Sequence, residues 1–165
     1  MSGVEVNTYM AASPERVWDL IGDPSRMGEW SPECAQVNWT GATQGPGLGA
    51  RFKGHNRLGW RRWTTTGTIV RYEPEREISW DVDYALFPIA RWTYRIDPAP
   101  GGEGCTVVES FLDRRSSVPR RLGPLVRGVR DVPGHNRAGM EQTLARLKAA
   151  AEAGQSSAGA RPSAD

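Results

Sequence analysis

The stretch REISWDVDYALFPIARWTYRID, Arg76 to Asp97, decides the fold. Ile78, Trp80, Val82 and Tyr84 alternate with Ser79, Asp81 and Asp83. That period of two places the apolar side chains on one face of a strand and leaves the other face wet. Trp92, Tyr94 and Ile96 repeat the pattern against Arg91, Thr93 and Arg95. One covered face per strand is the pattern of an antiparallel sheet. Further strands are predicted at Val4–Ala11, Cys34–Thr40, Ala50–Asn56, Trp63–Tyr72 and Cys105–Leu112. The connections Glu73-Pro74-Glu75 and Pro98 to Gly104 are short and turn-like, so consecutive strands form a meander.

Two short helices interrupt the strands near the start. Ser13 offers an N-cap, Pro14 suits the first helical position and Glu15 the positive end of the dipole. Val17, Trp18, Leu20 and Ile21 form the apolar stripe, and Gly22 and Pro24 end it. A second helix over Ser25 to Trp30 stops at Ser31-Pro32, because the residue before proline disfavours helix. Leu122, Leu125, Val126 and Val129 have helical spacing within a stretch broken by prolines and glycines. A long helix is predicted from about Asn136, with Met140, Leu144, Leu147 and Ala151 as its seam.

An apolar sheet face must be covered, and the long helix is the available cover. A curved sheet wrapped around one helix leaves a gap, which is the physical origin of a cavity. The predicted fold is therefore α+β: a curved antiparallel sheet of about seven strands, two short helices, and a long C-terminal helix over a cavity. One domain spans residues 1–153, and the small-residue stretch 154–165 is a disordered tail.

Composition narrows the function. The chain has 165 residues, 38% hydrophobic and 24% charged, with a formal net charge of +2, so there is no global case for nucleic-acid binding. No apolar run approaches the ~20 residues of a membrane span, and the start lacks the basic and apolar regions of a signal peptide. A cytoplasmic protein is expected. Cys34 and Cys105 lack metal-ligand spacing and read as free thiols. His55 and His135 lack partners at ligand spacing, so neither a metal nor another cofactor is expected, and each histidine reads as a surface or mouth residue. Gly45-Pro46-Gly47-Leu48-Gly49 matches no phosphate loop, since no Lys-Ser/Thr ending and no helix follows; it reads as a flexible loop at the pocket entrance. The seven tryptophans read either as a Trp-rich core or as the walls of a ring-lined cavity. Seven arginines between Arg114 and Arg137 face one acid, Asp131. They form either a solvated basic face or a site for anionic ligands, carrier-protein surfaces or lipid heads. Glycines and prolines break any amphipathic helix there, so membrane contact is not expected.

Four motifs carry a resemblance. They are Ser13-Pro14-Glu15-Arg16-Val17-Trp18, Glu29-Trp30-Ser31-Pro32, Trp92-Thr93-Tyr94-Arg95, and Arg137-Ala138-Gly139-Met140-Glu141 followed by Leu144-Ala145-Arg146-Leu147-Lys148. In this order and spacing, residues 4 to about 153 resemble the START-like SRPBCC superfamily, in particular its polyketide cyclase/dehydrase and lipid transport group. The resemblance implies a helix-grip fold around a cavity for an apolar molecule. It also places Trp30 at a pocket mouth and Arg71 near a pocket arginine of the aromatase/cyclases. Alternation instead sends Arg71 outward, with Val70 and Tyr72 on the apolar inner face.

The expected ligand-binding residues are Trp30, Phe52, Trp63, Trp80, Tyr84, Trp92, Tyr94, Met140 and Leu144. The expected function is binding of an apolar, ring-containing, lipid- or polyketide-like molecule, as carrier or sensor. The alternative is a cofactor-free polyketide aromatase/cyclase or dehydratase. That would need an inward general acid or base, and few polar residues are expected on the inner faces. The oligomeric state is left open.

Overall fold

The computed structural model describes residues 3–116, 128–129 and 131–156. Seven strands form one antiparallel sheet: β1 Gly3–Met10, β2 Cys34–Thr40, β3 Arg51–Leu58, β4 Arg61–Glu73, β5 Glu77–Tyr84, β6 Phe87–Pro98 and β7 Cys105–Asp113. Their spatial order is β1-β7-β6-β5-β4-β3-β2, so the chain runs as a meander from β2 to β7 and the first strand closes beside the last. The helices are α1 Pro14–Ile21, α2 Met27–Trp30 after a 3-10 turn at Pro24–Arg26, and α3 Val132–Ser156. This is the helix-grip arrangement that the alternating strands predict.

The local signals act as their chemistry requires. Ser13 Oγ accepts from the Arg16 amide at 3.2 Å, and Pro14 opens α1. The seam of α3 is sealed: Met140, Leu144, Leu147 and Ala151 are each at most 1% exposed. Lys148 and Glu152 tie the helix to the end of β1 through the Tyr9 carbonyl (2.8 Å) and the Ala11 amide (2.9 Å).

Four expectations need correction. α3 begins at Val132, one turn before Asn136, because the Asp131 carboxylate caps it by accepting from the Gly134 amide at 3.1 Å. β3 and β4 are longer than predicted, since a turn at Gly59 and Trp60 lets pairing continue to Leu58 opposite Arg61; Gly59 supplies the φ of +59°. A β-bulge between Ile69 and Arg71 breaks simple alternation, so Ile69 is inward and 1% exposed while Val70 is 37% exposed. Arg71 is exposed, as expected, and ion-pairs with Glu73 and Glu77. The Gly45–Gly49 loop joins β2 to β3 at the opposite end of the sheet from Trp63 and does not line the cavity. The helical spacing at 122–126, most of the arginine cluster, and residues 157–165 of the expected tail lie outside the described residues; α3 itself continues to Ser156.

Candidate functional site

The concave face of the sheet and α3 enclose a cavity of about 390 Å³. That falls in the range of roughly 300–1,000 Å³ typical of small-molecule sites. Its wall is mainly aromatic and aliphatic. Phe52, Trp63, Trp80, Tyr84, Trp92, Tyr94 and Met140 all line it. Cross-strand pairing explains how they meet: Trp80 on β5 stands opposite Trp92 on β6, and Trp92 opposite Phe111 on β7. The rings run in sequence, Phe52 edge-on to Trp80 (6.2 Å between centroids) and Trp80 stacked on Tyr94 (5.7 Å, 20°). Trp92 leans on Phe111 at 5.0 Å. Phe52 reaches this position because Gly67, its partner on β4, has no side chain: a Cβ there would lie 2.2 Å from Phe52 Cζ. Tyr84 and Phe87, 39% and 55% exposed, mark where the wall meets solvent.

Two expected residues are elsewhere. Leu144 is sealed in the core between α3 and the sheet and does not line the cavity. Trp30 is buried and does not line the cavity. Its indole N–H donates to the Leu20 carbonyl at 3.2 Å, satisfying a free carbonyl near the end of α1, and Arg26 covers its ring. Trp30 thus docks the two short helices together.

The inner face also carries a polar pair that the sequence reading did not single out. Tyr94 and Glu109 are direct cross-strand partners on β6 and β7. The Tyr94 hydroxyl donates to Glu109 Oε1 at 2.7 Å, and both side chains line the cavity. Glu109 is 2% exposed, and its Oε2 has no hydrogen-bond partner among the described residues. Burial pushes the Glu109 carboxyl up to about 8, against the opposing pull of the Tyr94 hydrogen bond. Burial and the neighbouring Glu109 charge hold the Tyr94 phenol well above its ordinary value. Glu109 is in phase with Cys105, Val107 and Phe111 in an alternating strand, and that phase was the available signal.

A second polar group lies on the wall near α3. His135 Nε2 is in close contact with the Glu33 carboxylate, and both residues line the cavity. His135 therefore has the carboxylate partner that sequence spacing did not disclose. His55 sits away from the cavity, with its Nδ1 3.4 Å from Thr64 Oγ1. Cys34, also on the wall, is a free thiol raised by burial to about 11, and Cys105 is free and buried. Among the described residues no cluster of three or more His, Cys, Asp or Glu side chains is placed to hold a metal ion. No helix among them is long and apolar enough to cross a membrane.

Comparison with known proteins places this architecture. The family described as polyketide cyclase/dehydrase and lipid transport matches residues 1–152. The chain belongs to that family. It is accordingly a START-like SRPBCC protein. No curated protein matches the sequence significantly. Among solved structures, the protein XoxI from Bacillus cereus aligns with a TM-score of 0.68 at 18% identity, over 92% of this chain and 96% of that one. Major latex-like protein 151 from Panax ginseng aligns at 0.66 and 15% identity, over 91% and 97%. The di-domain ARO/CYC StfQ of the steffimycin biosynthetic pathway aligns at 0.68 and 15% identity, over 93% of this chain and 51% of that one. At these identities the likeness is one of fold.

Proposed function

We propose that this protein binds an apolar, ring-containing small molecule in the cavity, as a carrier or sensor. The observation that carries the reading is the enclosed ring wall itself. Phe52, Trp80, Tyr94, Trp92 and Phe111 line one continuous space between sheet and helix. Flat aromatic walls favour a ligand that can stack or present ring edges, and a largely apolar surface favours one with few charges. The family description, which includes lipid transport, agrees with a lipid- or polyketide-like occupant.

The test uses the neutral dye N-phenyl-1-naphthylamine. Its fluorescence should rise on binding, and fluorene should displace it. Val82→Trp, which fills space on the cavity wall, should abolish binding while the protein remains folded by circular dichroism. Failure of the wild-type protein to bind the dye or any polyaromatic competitor would refute the reading.

One observation favours the cyclase or dehydratase alternative. The Tyr94–Glu109 pair supplies a buried, titratable carboxyl on the inner face, which general acid–base chemistry needs. StfQ, named as an ARO/CYC, shares the fold. Conversion of a polyketide-like substrate that is lost in Glu109→Gln would move the assignment from carrier to enzyme.

A further inference from the structure

We propose that Tyr94 and Glu109 form the polar anchor of the cavity, and that Glu109, as a neutral acid, donates a hydrogen bond from Oε2 to a carbonyl oxygen of the bound ring compound. This inference rests on the binding function proposed above and specifies the ligand class: an apolar ring ketone, quinone or similar carbonyl compound, rather than a pure hydrocarbon or an amine.

The geometry assigns the proton. The Tyr94 hydroxyl donates to Oε1 at 2.7 Å, so Oε1 serves as an acceptor. The remaining oxygen, Oε2, is buried and has no partner among the described residues, and the side chain that carries it lines the cavity. In a neutral carboxyl whose Oε1 accepts, Oε2 is the hydroxyl, and a buried donor without a partner selects a ligand that offers an acceptor. A carboxylate in this position would need a cation. Among the described residues, the charged groups on the cavity wall are already engaged: Arg115 forks onto Asp113 at 2.8 and 2.9 Å, and His135 contacts Glu33. The other titratable residues on the wall, among those described, are the Cys34 thiol, whose burial holds it neutral, and the Tyr84 phenol. The carboxyl value of about 8 agrees with a neutral Glu109 at physiological pH. The Trp80 ring stacked on Tyr94 sets the plane beside which a flat ligand would lie.

A matched pair of probes separates the anchor from the cavity. 9-Fluorenone and fluorene share a three-ring skeleton and differ at the carbonyl. Both should displace N-phenyl-1-naphthylamine from the wild-type protein at pH 6.5, with fluorenone preferred by roughly tenfold, the scale of one buried hydrogen bond. The preference should vanish at pH 9.5, where Glu109 has ionised and no longer offers a proton to the carbonyl. Glu109→Gln keeps an N–H donor and should retain the preference at both pH values. Glu109→Leu should bind fluorene and show no preference. Equal wild-type affinities, or a preference that survives pH 9.5 or Glu109→Leu, would overturn the anchor and leave the cavity reading standing. Loss of preference in Glu109→Gln at pH 6.5 would overturn the donor assignment. Absence of binding by dye, fluorene and fluorenone alike would overturn the cavity reading and the anchor with it. The pH arm uses wild-type protein, so the test does not depend on any variant folding.

Discussion

Asp81 and Glu109 stand on opposite faces of one sheet. Asp81, on the outer face of β5, is held by Arg91 at 2.6 Å and Arg114 at 2.6 Å. Burial alone would raise its carboxyl, but the Arg91 hydrogen bond and the two guanidinium charges prevail and hold it below its ordinary value. Glu109, on the inner face of β7, has a phenol for a partner and titrates near 8. Side-chain type does not separate the two; the face of the sheet does. The outer face offers water and arginines, so charge is retained there. The inner face offers rings and a helix, so the carboxyl is kept neutral. A neutral acid in a dry cavity can bind or polarise a ligand, whereas an ion-paired acid outside can do little more than order its neighbours.

The contrast depends on α3 keeping the inner face dry, so removing the cover should produce the largest effect. Leu144→Ala cuts a side chain that is 1% exposed and should cost about 2–5 kcal/mol in urea unfolding. The wetter interior should also move Glu109 down toward the ordinary carboxylate range. A loss below about half a kilocalorie, against the ~2 expected at minimum for a buried leucine, would show that α3 is not the cover.

Glu109→Gln sharpens the comparison by removing the inner titration. A carboxyl near 4.5 in the unfolded chain and about 8 in the folded one binds more protons when folded across that interval. Wild-type stability should therefore fall as pH rises from about 5 to 8 and level off above, with a slope of at most about 1.4 kcal/mol per pH unit from this group. The variant should lack that component. Parallel pH–stability curves for the two proteins would contradict a raised Glu109.

Gly67→Ala disturbs the ring wall without touching either carboxylate. The new Cβ would meet Phe52 Cζ at 2.2 Å, so the ring must swing from its place against Trp80. A cost of about 1–3 kcal/mol is expected from such overpacking, with a changed near-ultraviolet dichroism from Trp80. An unchanged spectrum and melting temperature would mean that Phe52 is not fixed there.

The two faces were not equally legible in the sequence. Period-two alternation in β5 and β6 reveals the sheet and brings Trp80, Tyr84, Trp92 and Tyr94 to the cavity wall; Phe52, Trp63 and Met140 reach it from β3, β4 and α3. Alternation failed at Val70, where the bulge is set by pairing with β5 rather than by local residue type. Trp30 was misplaced at a pocket mouth by resemblance; the indole bond to Leu20 that fixes it is tertiary. Glu109 was legible in phase but not in meaning, since only pairing of β7 with β6 sets it against Tyr94. The His135–Glu33 contact joins α3 to the segment before β2, and spacing along the chain cannot show it.

The smallest effect should come from the outer face. Asp81→Asn removes the charge that holds Arg91 and Arg114, yet those guanidinium groups remain partly in water, at 41% and 31% side-chain exposure. Exposed pairs of this kind contribute about 0–1 kcal/mol, and salt screens them further. The sign with pH is opposite to that of Glu109. A carboxyl lowered by folding contributes its stability above its unfolded value, 3.8, and loses it as pH falls through the lower folded one. Asp81→Asn should therefore match wild type within about 1 kcal/mol at pH 7, become indistinguishable from it in strong acid, and leave dye binding unchanged. A variant that lost dye binding while still folded would show that the outer arginines reach the cavity, and the division of the sheet into a charged face and a neutral one would fail.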